Sequence, residues 1–329
     1  MNKTMISILK VLDKRPDIIT GSREISRQLI DHGIDLTERT VRYHLRLLDE
    51  KGFTKVFGKE GRIITKAGRE ELSHSLVSEK VGFVINKIEA LSFLSDFDLG
   101  RKTGRVILNV TFFPEEDFAA AIKAMEKVFA SKYNMSERVV TAQGGELLGD
   151  IKIPDNHIGF GTVCSVTINS VLLKAGIPVT SRFGGVLQIE EGEPSRFVSL
   201  ISYEGSSLDP LEIFIRSNMT NVGGAVRNHS GKILASFREI PLVCVERARG
   251  LEKMLKKEGM GGILAIGNPN QDLLEIPVGT DKAGMVVVGG LNPVAAADEA
   301  GIKTRSQAMS TLYEYSALRV FTDLLREIS

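Results

Sequence analysis

Two stretches of this 329-residue chain repeat one another at an offset of 123–127 residues, and that constrains its fold more than any other feature. "GRVILNVTFFPEE" (104–116) matches "GKILASFREIPLV" (231–243): a glycine, a basic residue, an apolar strand and a proline at the same distance. Each is followed by a helical pattern, "DFAAAIKAMEKVF" and "CVERARGLEKMLKKEG", then by a strand, "RVVTAQGGELL" and "GGILAIGNPNQ". "IKIP" then parallels "LEIP", and "GFGTVCSVTINSVLLKAGI" (159–177) parallels "GMVVVGGLNPVAAADEAGI" (284–302). The order predicts two β-α-β-β-α units of about 75 residues in an α/β layered body (mixed α+β), pseudo-twofold, with a cleft where the halves face one another. Between them, "GGVLQIEEG", "RFVSLISYEG" and "LEIFIRSN" within 178–230 read as strands.

The first 75 residues follow a different pattern. "TMISILKVLDK" spaces Ile6, Leu9 and Leu12 along one helical face, and "RPDIIT" breaks it into a short extended stretch. "GSREISRQLIDHG" is a second helix, capped at Ser22 and stopped at Gly33. In "TERTVRYHLRLLDEKGF", Thr37 is the expected cap, and Val41, Leu45 and Leu48 fall on one side of a helical wheel. Arg39, Arg42, Tyr43 and Arg46 fall on the other, with Thr40 beside them. From Arg39 to Arg46 the rise is about 10 Å, the length a major-groove half-site offers. A solvated surface helix would show such arginines too, but two short strands follow, 53–57 and 62–65, joined by "GKEG". Two helices and a hairpin read as a winged helix-turn-helix, with Lys55, Lys59 and Arg62 at or beside the wing tip, in reach of phosphate. The expected organisation is therefore a DNA-binding head at 1–75, a helical linker at 76–100 open to packing on the body or on a second copy, and a duplicated effector-binding body at 101–329.

Charge agrees with that division. Residues 1–75 hold 15 Lys and Arg against 11 Asp and Glu, a net of +4, which leaves 27 against 30, a net of −3, for the rest. Cys164 and Cys244 lack metal or disulfide spacing, the five histidines form no H-x-x-x-H pair, and no signal peptide or membrane span is present, so a cytoplasmic chain without metal or cofactor is expected. "GFGTVC" is not a dinucleotide fingerprint, because position 164 is Cys, and neither a P-loop nor a nucleophile elbow occurs. No convergent set of acid, base and nucleophile stands out, so no catalytic residue is assigned. The alternative, a metabolic enzyme with an autoregulatory DNA-binding head, would need one.

Candidate ligand residues cluster at two places. "GTVCSVTIN" puts Cys164, Ser165 and Asn169 where a strand opens a helix, a position whose free N–H groups favour an anion. Gly289, Gly290 and Asn292 occupy the equivalent place in the second repeat. "TSRFGG" supplies Arg182, a fork-shaped partner for carboxylate, with Gly184 and Gly185. "SYEGSSLDP" adds Ser206 and Ser207, or is simply a capped loop. Such a set suits a small dicarboxylate.

A winged helix followed by "TVCSVTINSVLLKAGIPV", "RFGGVLQIE", "RFVSLISYEGSSLDPLEIFI" and "MTNV" resembles the archaeal nitrogen-regulation repressor family, NrpR, over nearly the whole chain. The resemblance implies a homodimeric transcriptional repressor of nitrogen fixation and assimilation genes. It implies binding to a palindromic double-stranded operator and release by 2-oxoglutarate. Some relatives carry two effector domains in tandem where this chain carries one, so a second regulator protein is a further expected partner.

Overall fold

The computed structural model describes residues 3–30, 33–75 and 83–328. It divides into two compact units, residues 1–81 and 82–329.

In the first unit, α1 (Lys3–Asp13), α2 (Ser22–Ile30) and α3 (Glu38–Glu50) are followed by β1 (Thr54–Phe57), β2 (Gly61–Ile64) and α4 (Lys66–Ser75). The apolar spacing of α3 does what the wheel predicts: Val41, Leu45 and Leu48 are fully buried, and they join Ile8, Leu9, Leu12, Ile25 and Leu29 in one core. Thr37 caps α3 by accepting the Thr40 N–H at 3.3 Å. β1 and β2 form the wing hairpin, and Thr20 adds a bridge to its flank through paired backbone hydrogen bonds with Arg62.

The segment read as a linker falls partly outside the described residues, at 76–82. From there α5 (Phe83–Leu94) buries Val84 and Ile88 in the second unit, beside Ile107, Cys164, Val166, Tyr203 and Met309. The first repeat runs β3 (Arg105–Pro114), α6 (Phe118–Phe129), β4 (Arg138–Ala142), the small hairpin β5 (Leu147–Leu148) and β6 (Ile151–Lys152), β7 (His157–Val163), α7 (Val166–Lys174) and β8 (Thr180–Glu190). After β9 (Glu193–Ser202), α8 (Pro210–Arg216) and α9 (Val222–Asn228), the second repeat runs β10 (Gly231–Pro241), α10 (Val245–Lys257), β11 (Ile263–Ile266), β12 (Lys282–Val288), α11 (Asn292–Glu299) and β13 (Arg305–Glu314). β14 (Arg319–Val320) and α12 (Phe321–Ile328) close the chain's described part.

The duplication is real, and each unit has one more strand than the repeat pattern alone supplied. Each is a split β-α-β-β-α-β arrangement, and the two exchange their last strand. The first sheet has the order β13-β3-β7-β4-β14 and the second β11-β12-β10-β8-β9, antiparallel throughout. β8, which ends the first repeat, pairs with β10 of the second, and β13 crosses back to β3. Both sheets feed one core. Phe160 of β7 meets Phe113, Phe118 and Phe129 edge to face, at 6.1–6.3 Å between centroids, and Phe129 stacks on Phe321 at 3.9 Å.

The reading of "LEIFIRSN" as a strand is corrected: residues 210–216 are helix α8. Asp209 accepts the N–H groups of Leu211 and Glu212 at 2.9 and 3.3 Å, and Pro210 sits in the first turn, where its fixed φ and missing N–H cost nothing. Those two residues override the β-branched alternation that follows.

Candidate nucleic-acid interface and effector cleft

On α3 the side chains of Arg39, Arg42, Tyr43 and Arg46 are all exposed, opposite the buried stripe. Among the described residues Arg39 has no hydrogen-bond or ion-pair partner. Arg46 has a long ion pair with Glu50 at 3.4 Å, which an exposed site gives little strength. Arg42 is different. It pairs with Glu38 one turn back and its Nε donates to Ser22 Oγ at 3.2 Å, while Ser22 Oγ donates to the same Glu38 at 3.0 Å. That lattice joins the start of α2 to α3 and presents a guanidinium still 66% exposed. The hydrogen bonds from Arg42 and Ser22 hold the Glu38 carboxyl below the usual carboxylate range, so the anchor stays ionised. Thr40 is half-buried, with its hydroxyl 3.0 Å from that of Thr37, and belongs to the cap.

Lys59 is exposed in the wing turn, and Lys55 lies over the Phe57 ring at 5.4 Å. Arg62 does not project from the wing as the sequence reading expects. Its Nε donates to both carboxylate oxygens of Asp49, at 2.8 and 3.0 Å, and its side chain is only 20% exposed. Asp49 lies near the end of α3 and also accepts the Thr54 hydroxyl. Arg62 therefore clamps the wing to the helix and sets the angle between them, rather than reaching phosphate.

In the second unit, α5, α7 and the facing ends of β8 and β9 enclose a cleft of about 500 Å³. Its walls include Ser92, Asn169, Thr180, Ser181, Arg182 and Glu204. The size is that of a small-molecule site. Arg182 reaches it because the register of β8 against β10 slips there: Phe183 faces Phe237 and Ser181 faces Arg238, leaving Arg182 as a bulge. A bulged residue turns its side chain away from the alternation of its strand. Its guanidinium is already partnered, by Glu239 at 2.7 Å. Burial opposes the charge on Glu239, but the Gly279 N–H, Lys282 and Arg182 together outweigh that and hold its pKa below the ordinary value.

Cys164 and Ser165 border the cleft's neighbour, a small closed pocket shared with Asn109, Tyr203, Asp209 and Met309. Burial pushes the Cys164 thiol up to about 11, so it stays a neutral contact group and not a nucleophile at neutral pH. Gly184 and Gly185 serve packing. A Cβ on Gly184 would lie 2.7 Å from Pro210 and 3.0 Å from the Tyr203 hydroxyl, and one on Gly185 2.7 Å from both Phe197 and the Ser199 carbonyl. Ser206 bonds the Leu208 carbonyl at 2.6 Å and Ser207 is exposed; neither lines the cleft. In the second repeat Asn292 is wholly consumed, its Oδ1 by Leu234 N–H and its Nδ2 by the carbonyls of Tyr133 and Leu234. Gly290 admits no side chain, since its Cβ would come within 2.4 Å of the Val163 carbonyl. The two helix-opening turns thus meet, and only the first retains spare polar groups.

Sequence reasoning missed Arg238. It lies in β10, 1% exposed, with Nη1 donating to Asn169 Oδ1 and Nη2 to the Ser165 carbonyl at 3.1 Å. Burial lowers its pKa to about 10, with Tyr203 and Cys164 acting the other way, so the group stays protonated near neutrality. A basic residue inside an otherwise apolar strand was the available signal.

Asp209 carries a pH prediction. Burial, with Glu212 beside it, raises its carboxyl to about 7, against the pull of the α8 N–H groups. Between about pH 4 and 7 the folded chain holds a proton that the unfolded chain has released, so this group's contribution destabilises progressively as pH rises through that window. Asp209→Asn, which keeps the cap, is expected to flatten that slope and to stabilise the chain at pH 8 by about 2 kcal/mol. Urea unfolding at several pH values reads it, and an unchanged slope would refute the assignment.

Among the described residues no group of three His, Cys, Asp or Glu side chains could hold a metal ion, and no helix is long and apolar enough to cross a membrane. Residues 81–320 match the family described as NrpR regulatory domains NRD1 and 2, and residues 6–72 match the Ribonuclease R winged-helix domain. The chain is 38% identical over 319 residues to the global nitrogen regulator NrpRI of Methanosarcina mazei, covering 97% of this chain and 98% of that one. It is 33% identical to the global nitrogen regulator NrpR of Methanococcus maripaludis and 30% to that of Methanocaldococcus jannaschii, covering 95% and 100% of this chain but only 54% and 57% of theirs. The crystal structure of a nitrogen repressor-like protein from Methanococcus jannaschii superposes with a TM-score of 0.60 at 28% identity, covering 74% of this chain and 98% of that one. A winged helix-turn-helix joined to this duplicated regulatory body, matched along almost its full length, places the chain in the NrpR family of nitrogen regulators.

Proposed function

We propose that the chain represses nitrogen fixation and assimilation genes by binding a palindromic operator as a homodimer, and that 2-oxoglutarate bound in the cleft between α7 and β8 releases it. The outward face of α3 carries this reading: Arg39, Tyr43 and Arg46 project together, beside an Arg42 whose own charge is only partly spent on Glu38. A dimer would set two such faces one DNA turn apart, about 34 Å. The cleft supplies a site of suitable size, lined by an arginine, an amide and hydroxyls, and no nucleophile–base pair that would make it catalytic. Ligand releases DNA only by binding the DNA-free arrangement more tightly, and a difference of about 2–3 kcal/mol suffices for a 30- to 150-fold change.

Fluorescence anisotropy on a palindromic promoter fragment from the chain's own genome, titrated with 2-oxoglutarate, tests the proposal. Release by 2-oxoglutarate, with glutarate and citrate much weaker, is the expected result. Tight DNA binding that no dicarboxylate disturbs would leave the winged helix with its role and remove the effector assignment. A second regulator protein sharing the operator would show as a supershifted complex in the same assay.

A further inference from the structure

We propose that Arg238 is the buried counter-charge for one carboxylate of the effector, and that each chain holds one such site. The inference rests on reading the cleft as the effector site and identifies the group that makes that site select anions.

Arg238 is a charge without a counter-ion among the described residues. Its guanidinium is 1% exposed, its two hydrogen bonds go to neutral oxygens, and its Nε has no partner there at all. A buried cation so placed is costly unless something neutralises it. The nearby carboxylates are committed elsewhere. Glu239, the next residue along β10, points to the opposite face of the sheet, where it takes Arg182, Lys282 and the Gly279 N–H. Asp209 is held by the first turn of α8. Arg182 lines the cleft but is already neutralised, so the unspent positive charge is the one beneath the cleft floor. Asn169 connects the two: it lines the cleft, accepts from Arg238 and donates to Ser181 Oγ at 3.0 Å. Arg238 and Asn169 meet at the opening turn of α7, where Ser165 provides no side-chain cap. A carboxylate entering there gains the guanidinium and the field of that helix end together.

The repeat supplies a control. β3 pairs Phe112 with Gly159 and β10 pairs Arg238 with Met285, so the equivalents lie 238 − 112 = 126 residues apart. α7 begins at Val166 and α11 at Asn292, also 126 apart. The second repeat therefore has Phe112, Leu291 and Ala295 where the first site has Arg238, Ser165 and Asn169, and all three are buried and apolar. One half of the pseudo-twofold body can hold an anion and the other cannot. When the carboxylate displaces the Asn169 amide, the tie from β10 to α7 is broken. α5 packs on α7 and is the first element of the body after the DNA-binding unit, so the change reaches that end of the body.

Calorimetric titration of the full chain with 2-oxoglutarate, alongside thermal melts, is the test. The wild-type chain is expected to bind one ligand per chain. Arg238→Met should weaken binding about 100-fold without lowering the melting temperature, because an apolar side chain of similar length removes an unneutralised charge. Asn169→Asp, which supplies a carboxylate in place, should raise the melting temperature and abolish binding. Arg182→Gln should change affinity by no more than about threefold, its charge being already neutralised. Wild-type affinity in Arg238→Met, or two ligands per chain, overturns the proposal; if Arg238→Met fails to fold, unchanged binding in Asn169→Asp does so instead. Should the wild-type chain not bind 2-oxoglutarate, the effector named above is wrong, and melts with succinate, glutarate and phosphate decide separately. Stabilisation that vanishes in Asn169→Asp keeps Arg238 as an anion anchor, and no stabilisation by any of them, or equal stabilisation of both chains, removes it.

Discussion

A chain carrying Arg39→Ala and Arg46→Ala together is expected to lose operator affinity by about 100- to 1,000-fold, with its melting temperature unchanged. Both guanidiniums project from the exposed side of α3, and neither supports the core formed by Val41, Leu45 and Leu48. A side chain that reads a base edge is worth about 1–3 kcal/mol. Removing a cation that neutralises one phosphate instead lowers the slope of log affinity against log salt by about one. The salt titration sorts the two. If Arg39 reads bases, its loss relaxes sequence preference at one position; if it holds phosphate, affinity falls for every sequence alike. Arg42→Ala adds a second effect, because Arg42 also holds Glu38 and Ser22 and so fixes α2 against α3. Arg62→Ala is the informative contrast, since its damage would come through a loosened wing. Normal footprints from the double variant would remove α3 as the reading helix.

The second large effect concerns the exchanged strands. A chain ending at residue 230 keeps every element of the first repeat, yet it is expected not to fold its body. Without β13 the first sheet loses its partner for β3, and without β10 and β12 the second sheet shrinks to the β8–β9 hairpin. The apolar faces of β8 and of the first sheet would then lie open. The shortfall exceeds the about 5–15 kcal/mol by which a domain is stable. Hydrogen exchange at the β3 and β7 amides measures it: protection should be lost in the fragment and return when residues 231–329 are supplied in trans. A fragment whose β3 amides stay protected would show that the exchange is dispensable.

Much of this architecture is legible in the residues themselves, because its signals are local. Gly104 and Gly231, the prolines at 114 and 241, and the twin A-G-I helix stops mark the repeats, and Val41, Leu45 and Leu48 mark the face of α3 that had to be inside. Partner choice is not local. Nothing in "TSRFGGVLQIE" states that it pairs with β10 and not with β3, and nothing near Arg62 announces Asp49, 13 residues earlier. Elsewhere two local signals compete. Asp209-Pro210 is a helix start, but the alternation of Ile213, Phe214 and Ile215 imitates a strand. In the cleft, the helix-opening turn and Arg182 are visible, whereas Arg238 is hidden by the apolar strand around it. Gly184, Gly185, Ser206 and Ser207 have the composition of ligand-binding turns; the glycines instead accommodate close-packed neighbours and the serines lie off the cleft wall.

The return of β13 to β3 also bears on how the chain is made. Residues 105–114 leave the ribosome with one flank satisfied only when residues 305–314 follow, 305 − 114 = 191 residues later. At about 5–20 residues per second, that interval is on the order of 10–40 s. Throughout it, a nascent strand as apolar as "VILNVTFF" has an open edge, available to any other strand that passes. Synthesis speed and chaperone occupancy over that window should therefore govern the yield of active regulator more than the stability of the finished fold does.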